Sequence, residues 1–75
     1  MKTLTIEQAN TLTIEKSRAG MAHVWMGNDQ VFKDPNDEII HVRNEGGLVA
    51  SYELGKKSGE IVNALFDRAE EMEAA

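Results

Sequence analysis

At 75 residues, 41% apolar and 28% charged, the chain has room for one small core and no second domain. Eight Lys and Arg against thirteen Asp and Glu leave a net charge of −5, which disfavours both the phosphate attraction behind most nucleic-acid binding and association with anionic lipid. The absence of cysteine excludes a disulfide framework, a thiolate zinc site and a cysteine nucleophile, and no apolar run reaches the roughly 20 residues of a spanning helix or resembles the core of a secretory signal. These features point to a cytoplasmic setting. A core of this size supplies only about 3–5 kcal/mol, so efficient packing or a partner surface must complete it.

Thr3-Leu4-Thr5-Ile6-Glu7 returns eight residues later as Thr11-Leu12-Thr13-Ile14-Glu15, two copies where a repeat array needs about three. Residues 1–10 stay open between an extended arm and a short helix, because Thr5 with Gln8 three positions on has the spacing of a capping box. In the second copy Leu12 and Ile14 alternate with threonines, which predicts a strand over 11–16. Ser17 to Gly20 carries a turn signal and Met21 to Met26 reads as the return strand. Val31-Phe32 is a short apolar pair, and 33–37, with the only proline, reads as loop. Glu38–Arg43 and Leu48–Leu54 flank a turn at 44–47 and predict a hairpin, with Leu48, Ala50, Tyr52 and Leu54 on one side. A helix follows over 58–75, with Ser58 in the N-cap position and Ile61, Val62, Leu65, Phe66, Ala69 and Met72 within an arc of roughly 140°. The sequence therefore predicts a single α+β domain over 1–75: a small antiparallel β-meander of three to four strands packed by one long C-terminal amphipathic helix.

Most of the charge sits on that helix. From Ser58 onward there are five acids (Glu60, Asp67, Glu70, Glu71, Glu73) and one base, Arg68. Three of the acids crowd the C-terminal end, where the macrodipole prefers cations, so the last turn is expected to fray. Glu60, Asp67, Glu70 and Glu71 are candidate contacts for a partner with a basic surface, their spaced carboxylates standing in for phosphates; the plainer role is to keep a small domain soluble.

Motifs for catalysis are weak. Asp34 to Glu45 places oxygen side chains at some positions of a twelve-residue calcium loop, but Ile39 occupies the position that needs glycine and a strand runs through the middle. His23 and His41 lie on predicted strands that could bring them together, without a third spaced ligand. Ser17, Ser51 and Ser58 lack a glycine-flanked elbow, Gly46-Gly47 lacks the Lys-Ser/Thr of a phosphate loop, and the many carboxylates read as solvated. No catalytic residue, metal or cofactor is expected.

One helix covers one face of a sheet, yet both strand faces carry apolar groups. Met21, His23, Trp25 and Tyr52 are the candidate contacts on the uncovered face, either as a protein interface or as a homodimer seam, unless Leu4 and Ile6 fold the N-terminal segment over it. The sequence points to a non-catalytic protein-binding module, in the size and charge range of phage-encoded acidic inhibitors of host nucleic-acid enzymes or defence nucleases, anti-CRISPR proteins and DNA mimics among them. The alternative is a small self-associating regulatory or accessory subunit. A nucleic-acid-binding accessory protein using Trp25, Phe32 and Tyr52 as stacking groups ranks third, and no membrane role is expected.

Overall fold

The computed structural model describes residues 1–74. In chain order it contains β1 (Lys2–Leu4), α1 (Ile6–Asn10), β2 (Thr13–Lys16), β3 (Ala22–Met26), β4 (Asp29–Lys33), β5 (Ile39–Asn44), β6 (Gly47–Leu54) and α2 (Lys56–Ala74). The six strands form one mixed sheet in the order β1-β6-β5-β4-β3-β2. Strands β2 to β6 are consecutive antiparallel neighbours, while β1 adds to β6 in parallel, with Leu4 opposite Leu54. The α+β class stands; the three to four strands expected become six, and the parallel edge makes the sheet more than a meander.

Local chemistry explains the two added strands. Gly27 has φ 62°, a conformation that costs glycine little, and Gly27-Asn28 is a two-residue turn joining β3 to β4 at the pair Met26–Asp29. That tight turn makes Asp29 to Lys33 a strand although only Val31 and Phe32 are apolar. In the N-terminal segment both possibilities for 1–10 are realised in part. Thr5 caps α1, its Oγ1 accepting from the Gln8 N–H at 3.0 Å while Gln8 Oε1 accepts from the Thr5 N–H at 2.9 Å. The three residues before this box pair with β6.

The core lies between one face of the sheet and the two helices. Leu4, Val24, Val31, Ile40 and Val42 come from the strands, Ala9 from α1, Leu12 from the residues before β2 and Val62 from α2. The stripe foreseen on α2 is the one that packs inward, with Ile61, Leu65 and Phe66 half-buried against this cluster. β1 and β2 lie at opposite edges, five strand spacings apart, about 24 Å in a flat sheet. The link from Leu4 to Thr13, with a five-residue helix inside it, spans about 21 Å at most, so the sheet must curl around the helices. Its other face is the outer side of that curve.

Two details of α2 differ from expectation. The helix begins at Lys56, with Gly55 at the cap: the Gly59 N–H donates to the Gly55 carbonyl at 2.8 Å. Ser58 is buried inside the first turn, its Oγ accepting from the Gly55 N–H at 2.9 Å, so it secures the helix start from within. The C-terminal turn, expected to fray, is held by groups distant in sequence. Lys16 Nζ donates to the Met72 carbonyl at 2.7 Å, the cation that a helix C-terminus favours, and Glu73 Oε1 accepts from the Ala22 N–H at 2.8 Å.

Candidate functional site

Register decides which side chains share the uncovered face. Ile14, Val24, Val31, Val42 and Ala50 form one cross-strand row directed at the helices. The adjacent positions therefore point outward: Thr13, Trp25, Gln30 and Arg43 in one row, and Phe32, His41 and Ser51 in another, with Glu15 opposite His23 at the end of the face. Gln30 Nε2 donates to His23 Nδ1 at 2.7 Å, and the His23 and Trp25 rings meet edge-on with centroids 6.4 Å apart. His41 Nδ1 and Ser51 Oγ share a hydrogen bond of 2.7 Å, and the Arg43 guanidinium lies over the Phe32 ring, 5.6 Å from its centroid. This outer face thus carries an aromatic and polar network of its own.

Of the four residues expected there, His23 and Trp25 are on it. Met21 is exposed just before β3, its carbonyl accepting from the Ser17 N–H in the β2–β3 loop. Tyr52 is not on it: it pairs with fully buried Ile40 and packs against the core, so its place in that set is corrected. Leu4 is also core, which means the N-terminal segment covers the helix side and leaves the outer face open. Phe32, Gln30, Arg43 and His41 join the face instead. Gln30 gave no signal from the chain alone, and only the register of β4 against β3 and β5 puts it and Arg43 beside Trp25. The two histidines stay apart, with β4 between their strands. Asp34 and Glu45, the ends of the calcium-like spacing, are separated by the full length of β5.

A cleft of about 810 Å³ opens at one end of this face, between the β3–β4 and β5–β6 turns. Trp25, Gln30, Phe32 and Arg43 form its floor, and Asn28, Asp29, Asn44 and Glu45 its rim. Asn44 Oδ1 accepts from the Gly46 N–H at 2.8 Å and fixes that rim. Trp25 Nε1 is shielded from solvent with no hydrogen-bond partner, the one such side-chain atom among the described residues. A hidden unpaired donor costs about 1–3 kcal/mol.

The acidic residues occupy the opposite layer. Glu60, Asp67, Glu70 and Glu71 are all exposed on α2. A groove of about 480 Å³ runs between that helix and the β4–β5 loop, with Asp67 and Glu70 on one wall, Asp37 and Glu38 on the other, half-buried Phe66 beneath and Lys33 as the one cation in its lining. Pro35 follows Asp34 in a turn closed by the Asp37 N–H donating to the Asp34 carbonyl at 3.1 Å, which sets the loop acids against the helix. Glu60 lines a neighbouring hollow with Glu38, Lys56 and Asn63, and Glu71 lines neither. The loop contribution was missed because 34–38 reads only as a solvated turn.

Comparison with protein-family models, with curated proteins and with solved structures finds no match.

Proposed function

We propose that the chain is a non-catalytic protein-binding module whose acidic groove receives a basic protein surface, of the kind that enzymes present to nucleic acid, so that the bound chain blocks that surface as a small acidic inhibitor. One observation carries this: four carboxylates from two separate elements, Asp37 and Glu38 on the loop and Asp67 and Glu70 on the helix, line one groove over Phe66 and outnumber its single cation, Lys33. Like charges gathered this way repel one another, whereas a cationic partner would relieve the repulsion, and Phe66 would receive the aliphatic stems of Lys or Arg. The experiment is capture from host extract with the parent chain and with the variant Asp67→Asn, Glu70→Gln, Glu71→Gln side by side. A partner retained by the parent should bind the variant more than tenfold more weakly, and the parent's binding should fall steeply with salt. Equal retention by both at low salt would leave the acids a solubility role.

A second mode, self-association through the outer face, is favoured by the exposure of Phe32 beside Trp25. Light scattering should then give twice the 8.3 kDa of one chain, with Trp25→Ala restoring the single mass. A single mass at high micromolar concentration would remove it.

A further inference from the structure

We propose that the cleft between the β3–β4 and β5–β6 turns binds a nucleoside, a planar base carrying a hydroxylated sugar. The cleft lies on the other side of the sheet from the acidic groove, so the proposal stands apart from binding through that groove, and it uses the face that self-association would cover. Its volume, about 810 Å³, is within the roughly 300–1,000 Å³ of small-ligand sites. The lining selects by chemistry. Trp25 offers a ring, and Arg43, its guanidinium carbon 5.6 Å from the Phe32 ring centroid, offers a guanidinium plane; bases stack on both kinds of surface. Asn28 and Asn44 bring carboxamides, which pair with the donor and acceptor edges of bases, and Asn44 keeps its amide NH2 available while its oxygen holds the turn. Glu45 is an acceptor of the type that takes ribose hydroxyls.

Other ligand classes fit less well. A purely apolar molecule would strip water from this polar rim without replacing its hydrogen bonds. A simple cation meets Arg43 at the floor. A polyphosphate meets one more carboxylate than cation, so charge on the ligand should weaken binding here, the reverse of a phosphate-anchored site.

Trp25 is the only tryptophan, so its emission reports the cleft directly. The full chain is titrated with adenosine, AMP, ATP, a short oligodeoxyadenylate and maltose, with amide shifts in heteronuclear NMR as a second readout. Adenosine should change the emission saturably below about 10 mM, a weak but specific range, and move the amides of 28–30 and 43–46. AMP should bind no tighter than adenosine, ATP at least fivefold more weakly, and maltose not at all. Asn28→Ala combined with Glu45→Ala, both in exposed turns, should weaken adenosine at least fivefold with an unchanged circular dichroism spectrum. The proposal is overturned if adenosine gives no saturable change, if maltose gives the same change, or if the double variant binds adenosine undiminished. Tighter binding of ATP or of the oligonucleotide than of adenosine also overturns it, and would assign the face to phosphate-bearing nucleic acid.

Discussion

Ile40 and Trp25 lie within two strands of each other and do opposite work. Ile40 is 0% exposed at the centre of the core, so Ile40→Ala removes buried volume that the neighbours cannot refill. The expected loss is about 2–5 kcal/mol, comparable with the whole stability of a domain this small, and urea denaturation should find the variant largely unfolded. Trp25 keeps a donor hidden and unpaired at an energetic cost. Trp25→Phe deletes that donor, so its stability should stay within about 0.5 kcal/mol of the parent or rise. A large loss would mean that the indole is a structural pillar. Ser58→Ala removes the acceptor of the Gly55 N–H in a buried setting and should cost about 1 kcal/mol by the same measurement.

At the level of elements, the restraint on the α2 C-terminus comes from β2 and β3. Lys16→Met with Glu73→Ala should release the last turn, seen as faster hydrogen exchange at Met72 and Glu73 and at the Ala22 amide, while the amides around Val62 keep their protection. The same long-range dependence marks what the chain alone could tell. The α2 stripe, the β5–β6 hairpin and the Thr5–Gln8 box are legible because each is written in residues a few positions apart. β1 is three residues long and its partner is at the other end of the chain, so no local period announces it. β4 shows no alternation, its two apolar residues Val31 and Phe32 being adjacent, and only the Gly27-Asn28 turn betrays it. Tyr52 shows the limit for a site: its alternation with Ser51 and Glu53 is plain, but whether it faces the helices follows from the pairing with Ile40. Of the four residues expected on the outer face, two, His23 and Trp25, lie there; the acids on α2 were legible, and the loop wall opposite them was not.

Taken as a whole, the molecule keeps the acids of its groove on the helix side of the sheet and the Trp25–Phe32 cleft on the other. The variant Asp67→Asn, Glu70→Gln, Glu71→Gln relieves repulsion on one layer without touching the other, so thermal melting should show an unchanged or slightly raised midpoint. A marked fall would reveal an attractive role for these acids within the fold.

The parallel pairing of β1 with β6 also shapes how the chain reaches this state. Strands β2 to β6 are joined to their neighbours by short loops and can zip up in succession, whereas Leu4 meets Leu54 across fifty positions of chain. Closing so long a loop is entropically expensive before other contacts exist, so the first strand should dock after the folding transition state. Leu4→Ala should therefore speed unfolding and leave the refolding rate nearly unchanged, while Val42→Ala slows refolding. Stopped-flow kinetics with both variants would test that order. In the native protein the same arrangement makes the amino-terminal strand the latch of the sheet, the last piece to arrive and the first to leave.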